Sequence, residues 1–374
     1  MITPEFFYKE LEKNGTDFFT GVPDSLLKDF CAYLTDNVPA ERNIIAANEG
    51  NAVGLAAGHY LATGRIPLVY MQNSGLGNTV NPLLSLADPE VYAVPMVLVV
   101  GWRGEPGFHD EPQHVQQGKC TCSLLDAMHI PYVIMSDEEE KLRTQIAWCY
   151  KETARRSAPF AFIVKKGTFA PCTLRNNVPV SGGMTREQAI ERIMLSMGTE
   201  TVFVSTTGMA SRELFELREK HGQGHKSDFL TVGSMGHASQ IALGIALQDK
   251  ARRVCCIDGD GAAIMHMGGM AVIGTRAPAN YVHIVLNNGA HDSVGGQPTV
   301  GRDIDICGIA RACGYRRVFK AASAGELESA LAEASRADGL CFVEVQVLKG
   351  ARKDLGRPTT TPLQNKEAFM EFLK

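Results

Sequence analysis

The sequence predicts an α/β protein of two homologous domains, each a parallel sheet flanked by helices. Three observations predict it. Short apolar, β-branched runs alternate with longer Ala-, Gly- and Leu-rich stretches of helical character. The second half repeats the first at an offset of 186 residues, and a length of 374 residues suits two ordinary domains.

Taken in order, MITPEFFYKELEKNG reads as a capped, charged helix without the n- and h-regions of a signal peptide. IPLVYM, VPMVLVV and FAFIV supply strands of the first half, and TVFVS, RRVCCI, YVHIVL and CFVEVQV those of the second. Runs this uniformly apolar suit parallel strands covered on both faces. Between the halves, CTLRNNVPVSGGMT is polar, turn-rich and aperiodic. The expected plan is therefore a domain over 1–170, a linker over 171–185 and a second domain over 186–374.

The repeat places Gly50 on Gly236, Gly58 on Gly244, PLVYMQ on RVCCID, NSG on GDG and PMVLVVGW on YVHIVLNN. One further residue of shift lays Gly21 of TGVPD on Gly208 of TTGMA. The differences carry the chemistry: Asp260 stands over Ser74, Asn288 over Trp102, and Glu49 over Met235. Each domain keeps half of a site.

Composition narrows the partners. Hydrophobic residues make up 45% and charged residues 21%, enough for a large core, while a net charge of −4 disfavours nucleic acid and acidic membrane surfaces. No apolar run approaches the roughly 18 residues of a membrane span. The ten cysteines show no CxxC or Cys/His zinc spacing and read as reduced core residues of a cytoplasmic protein, with Cys120 and Cys122 of KCTC the only suggestive pair.

Asp260 follows RRVCCID at a strand's carboxyl end, and Asn287 and Asn288 end the next strand. A right-handed βαβ crossover brings such ends to one edge of a sheet, where ligands of open α/β sheets bind. A charged and a neutral oxygen donor suit a hard cation such as Mg²⁺, and the Gly261 and Ala262 N–H groups favour an anion beside it. A metal-bridged diphosphate follows. The rival, a dinucleotide fingerprint, fails where Ile264 replaces its third glycine and where Asp260 would repel a pyrophosphate.

GDG, then 25 residues, then NN resembles the cofactor signature of thiamine diphosphate-dependent enzymes, and the resemblance spans essentially the whole chain. It implies two thiamine diphosphate-binding fold domains, the first holding the pyrimidine and the second the diphosphate and Mg²⁺. It also implies Asp260, Asn288 and the Ala290 carbonyl as metal ligands, and cofactor contacts from Gly259, Gly261, Ala262, Thr207 and Gly208. Gly233, Ser234, Met235 and Gly236 match the family's GSxG turn: the Gly233 carbonyl would accept from the 4′-amino group, and Met235 would support the bent cofactor. Glu49, which as a lone residue reads equally as a helix-start acid, takes the place of the glutamate that binds N1′ of the aminopyrimidine and activates the cofactor.

Within the family, TGVPDSLLKDF, YMQNSGLGNTVNPL, GWRGEPGFHDEPQH, LNNGAHDSVGGQPT and LGRPTTTPLQNKEAFM are similar to decarboxylases of small acidic 2-oxo acids. The implied enzyme is a carboxy-lyase converting 3-phosphonopyruvate to phosphonoacetaldehyde and CO₂ in phosphonate biosynthesis. A sulfonate analogue as substrate, an acetolactate synthase-like carboligation and a non-catalytic regulatory subunit are the alternatives. No room remains for the middle domain that larger relatives insert. Asp24, Ser25, Gln72, Asn73, Ser74 and Arg103 are candidates to meet substrate, Arg103 for its bidentate fork, although a surface turn arginine reads the same way. His109, His114, His237 and His291 are candidates for proton delivery. The family also implies a homo-oligomer, at least a dimer, with the cofactor at the subunit interface.

Overall fold

The computed structural model describes residues 1–175 and 183–374; residues 176–182 of the expected 171–185 linker lie outside the described residues. The chain divides into two compact units, Met1–Asn177 with Ser293–Gln297, and Val178–Asp292 with Pro298–Lys374.

In the first unit, β1 (Phe19–Gly21), β2 (Asn43–Ile45), β3 (Leu68–Gln72), β4 (Val97–Gly101), β5 (Tyr132–Ile134) and β6 (Phe160–Val164) form one sheet in the order β2-β1-β3-β4-β6-β5. In the second, β7 (Val202–Ser205), β8 (Asp228–Leu230), β9 (Val254–Gly259), β10 (Tyr281–Asn287), β11 (Arg317–Ala321) and β12 (Cys341–Gln346) run β8-β7-β9-β10-β12-β11. Strand for strand the two orders are the same, and every pairing is parallel. The sequence repeat is thus a repeat of topology.

The constant offset does not survive in the register. Leu68 pairs with Val97, but its counterpart Val254 pairs with Tyr281, where a 186-residue offset requires His283. The crossover 260–280 is shorter than its counterpart 73–96, so β10 enters its sheet two residues early relative to the repeat. Gln72 therefore lies beside Gly101 and Asp258 beside Val285. The residue at the level of Asn288 is Gly104, and Arg103 stands at the level of Asn287. The expected match of Trp102 with Asn288 is off by two.

Alternation along each strand fills both faces of each sheet. Leu68 and Tyr70 pack on one face of β3 while Val69 and Met71 pack on the other. In β10, Val282, Ile284 and Leu286 face one core, and Tyr281 and Val285 the opposite one. Helix starts agree with local chemistry: Thr3 caps Pro4–Lys13 by accepting from the Phe6 N–H, and Thr185 with Gln188 forms a capping box on Arg186–Met197. Six of the ten cysteines are buried, and all ten are free thiols. Among the described residues, no helix is long and apolar enough to cross a membrane.

The second unit's core also holds a charge pair. Arg218 of helix Met209–Lys220 donates from Nε and Nη2 to Asp228 at 2.9 and 2.7 Å, with its guanidinium 5.0 Å from the Phe203 ring centre. Both side chains are shielded from water, so removal of one partner strands the other in the core. Asp228→Ala is expected to lower unfolding free energy by about 3–5 kcal/mol in urea titration. A loss below about 1 kcal/mol would contradict this account of the pair.

Candidate active site

In the second unit the parallel pairing of β9 with β10 sets their carboxyl ends side by side. Asp260 opens the short helix Asp260–Met265 directly after β9, and Asn288 follows β10. Burial pushes the Asp260 carboxyl up to about 6, against the pull of the Thr299 hydroxyl that donates to it and of the nearby backbone N–H groups. The two expected metal ligands therefore leave adjacent strands at the same sheet edge.

Neighbouring groups hold them in place. Asn288 Nδ2 donates to Asp292 at 2.7 Å, and its Oδ1 accepts from the Ala290 N–H at 3.0 Å. Asp292 is itself anchored by Arg186 Nη1 at 2.9 Å and the Gly350 N–H at 2.9 Å. Asn287 turns the other way, donating to the Gly301 carbonyl at 2.6 Å and to Glu344 at 2.9 Å. Gly301 has no space for a side chain, since a Cβ there would lie 2.5 Å from Asp260 Oδ2.

The GSMG turn packs on this loop. A Cβ on Gly261 would meet the His291 ring at 3.1 Å and the Met235 methyl at 3.4 Å, so these three residues are brought together. Ser234 (φ 53°) and Gly236 (φ 82°) both occupy the left-handed region, and a Cβ on Gly236 would collide with His266 at 2.7 Å and the Ala262 carbonyl at 3.0 Å. Gly233 and Met235 are half-buried, as are Thr207 and Gly208, which precede helix Met209–Lys220. Burial holds the His291 imidazole down to about 4, so it is neutral at pH 7. His237 is exposed and its ring lies 4.5 Å from that of His266, whose pKa burial also lowers.

In the first unit Glu49 begins helix Glu49–Thr63, one residue after its cap Asn48. It is buried, accepts from Asn78 Nδ2 at 2.7 Å, and lies so close to Gly75 that a Cβ there would be 2.4 Å from Oε1. Asp24, Ser25, Gln72, Ser74 and Arg103 form one polar network: Gln72 donates to Asp24 at 2.6 Å, Ser74 to Gln72 at 2.8 Å, and Arg103 Nη1 to Ser25 at 2.8 Å. Burial raises the Asp24 carboxyl. Arg103 also grips Asp110 through Nε and Nη2 at 2.8 and 2.5 Å, committing three of its five N–H groups. Asn73 is buried and faces inward, bonded to the Arg103 backbone and Thr121. His109 is exposed and His114 buried.

Several of these residues escaped the sequence reading. Asn78 on Glu49, Asp110 on Arg103, and Thr299, Gly301 and Asp292 around Asp260 and Asn288 are polar or small residues in loops or on short helices. Asn78, Asp110, Asp292 and Thr299 lie inside the quoted segments YMQNSGLGNTVNPL, GWRGEPGFHDEPQH and LNNGAHDSVGGQPT, and only Gly301 lies outside them all, but no spacing within the segments singles these residues out.

The second unit's residues fit a hard divalent cation. A buried carboxylate that resists ionisation beside a neutral amide oxygen is a site that positive charge would relieve. Asp260, Asn288 and the Ala290 carbonyl would hold the ion.

The Thiamine pyrophosphate enzyme, N-terminal TPP binding domain model matches residues 1–130, and the C-terminal TPP binding domain model matches residues 204–345. The chain is 37% identical to a phosphonopyruvate decarboxylase of Streptomyces viridochromogenes, over 96% of this chain and 92% of that one. It is 36% identical to a phosphonopyruvate decarboxylase of Streptomyces hygroscopicus, over 96% and 90% respectively. A sulfopyruvate decarboxylase of Methanosarcina acetivorans is 28% identical over 100% of this chain and 98% of its own.

Because the folded Asp260 pKa lies above its ordinary 3.8, the stability its protonated form contributes is complete below that value and lost as pH rises through about 6. In the cation-free chain, Asp260→Asn is therefore expected to gain roughly 3 kcal/mol relative to wild type between about pH 4 and pH 8 in urea titrations, and Mg²⁺ should reverse the gain at the upper pH. A wild-type-to-variant difference that stays constant with pH would contradict the buried, uncompensated charge.

Proposed function

Since the chain belongs to the thiamine diphosphate-dependent enzyme family and is a 2-oxo acid decarboxylase, we propose that it converts 3-phosphonopyruvate to phosphonoacetaldehyde and CO₂, with Mg²⁺ as its metal, in phosphonate biosynthesis. The observation that carries the substrate is the 37% identity to a phosphonopyruvate decarboxylase over nearly the full length of both chains, against 28% for the sulfopyruvate decarboxylase.

When bound, the cofactor supplies a carbanion at its thiazolium and an electron sink for the carboxylate's departing pair. The chain's own residues prepare and orient it. Glu49 would bind N1′ of the aminopyrimidine and hold a proton there. Its burial and its bond from Asn78 aim one carboxylate edge and leave little water to compete. Asp260, Asn288 and the Ala290 carbonyl would hold Mg²⁺, and Gly259, Gly261, Ala262, Thr207 and Gly208 would contact the diphosphate. The Gly233 carbonyl would accept from the 4′-amino group, and Met235, packed beside Gly261, would support the cofactor.

Substrate anions meet Arg103, whose remaining N–H groups stand beside Ser25 and whose geometry Asp110 fixes in advance. Gln72, Asp24 and Ser74 extend that polar surface. His291 is a neutral hydrogen-bonding partner at pH 7. We also infer a homo-oligomer, at least a dimer, in which two subunits complete each site.

Glu49→Gln should lower CO₂ release from 3-phosphonopyruvate by about 10²–10⁴-fold while circular dichroism stays unchanged. Near-normal turnover would remove Glu49 from its role. In a panel of phosphonopyruvate, sulfopyruvate and pyruvate, assayed with and without thiamine diphosphate and Mg²⁺, the phosphonate should give the highest kcat/KM. Preference for sulfopyruvate would overturn the substrate assignment and leave the decarboxylase class intact.

A further inference from the structure

A second cluster of donors lies inside the second unit, apart from the Asp260 loop. Cys256 and Asp258 alternate along β9 and so share one face, and His283 on β10 pairs directly with Cys256. One ligand atom from each of the three lies within 4.8 Å of the others, and all three side chains are buried. The surrounding face is otherwise apolar, built from Val254, Val285, Tyr281, Tyr315 and Phe342.

Two polar atoms in this cluster have no hydrogen-bond partner, Asp258 Oδ2 and His283 Nε2. They face each other at 3.7 Å, too long for a hydrogen bond. Ligand atoms around a tetrahedral zinc stand at about this separation, given bonds of roughly 2.0–2.2 Å to nitrogen and oxygen. The far side of each group is already fixed: His283 Nδ1 is 3.0 Å from the Tyr315 hydroxyl, and Asp258 Oδ1 accepts from the Gly259 N–H at 3.1 Å. This is how metal-binding imidazoles and carboxylates are held, one atom oriented by a neighbour and the other turned to the ion.

We propose that Cys256, Asp258 and His283 bind one Zn²⁺ ion between β9 and β10. A sulfur and an imidazole nitrogen select a borderline-soft cation over Mg²⁺, whose preferred all-oxygen donors lie at Asp260 and Asn288. On binding, the Cys256 thiol releases its proton to solvent. Thiolate and carboxylate together then balance the ion's two positive charges, so the core gains no net charge. One water completes the tetrahedron. The ion ties together the two strands whose ends carry the Asp260 and Asn288 loops and secures their register.

The test is metal analysis of the full-length chain purified from cells grown with zinc, alongside Cys256→Ser, His283→Gln and Asp260→Asn. Wild type and Asp260→Asn are expected to carry stoichiometric zinc, and the first two variants at least about tenfold less. Growth in cobalt should give wild type a thiolate-to-cobalt charge-transfer band that Cys256→Ser lacks. Zinc-free wild type, or zinc that stays with Cys256→Ser, overturns the proposal. Should both core variants fail to fold, the wild-type metal content and cobalt band decide it.

Discussion

The parallel pairing of β9 with β10 is the constraint on which the second unit's chemistry depends. It aligns the carboxyl ends of two adjacent strands, so two residues far apart in sequence leave the sheet at one edge. Asp260 and Asn288 leave the sheet side by side for this reason. A slip of one residue would turn every side chain of β10 to the other face, moving His283 away from Cys256 and Asp258. The apolar residues on both faces oppose that slip, so the hydrophobic cores stabilise the site as well as the fold.

Burial of polar groups is the cost of this arrangement, and it is offset locally. Asn287, Asn288 and Asp292 each meet a partner, with Arg186 closing one edge, while Asp260 accepts from Thr299 and keeps a desolvated carboxyl. The first unit answers with a comparable set, in which Gln72 donates to Asp24 and Arg103 joins Ser25 to Asp110. One topology carries two different networks because the side chains at the ends of corresponding strands differ: carboxylates and amides in one, a guanidinium held between a hydroxyl and a carboxylate in the other.

Much of this was legible beforehand. The α/β class, the two parallel sheets and the convergence of Asp260 on Asn288 follow from apolar runs, a repeat and a two-strand argument about sheet edges. What resisted reading was whatever depends on a third element. Trp102 was matched to Asn288 because a gapless repeat cannot show that the crossover after β9 is shorter. Asn73 reads as a substrate candidate together with Gln72 and Ser74, yet its side chain turns inward to Thr121 and the Arg103 backbone. Cys256 reads as a reduced core residue and nothing in the sequence singles out Asp258 or His283, since no spacing rule joins the three until the register of β9 against β10 is set.

By itself the sequence determined the strand-forming runs, the repeat that sets two like topologies, and the residue types able to bind a cation and a diphosphate. These are local properties, set by side-chain chemistry and by the period of burial. Tertiary structure alone decided the register of β10 against β9, the rotamers that aim Arg103 at Asp110 and Ser25, and the burial that raises Asp260 while holding His291 neutral. Each of these depends on which distant atoms exclude water from a group or bond to it, and that is settled only when the elements pack.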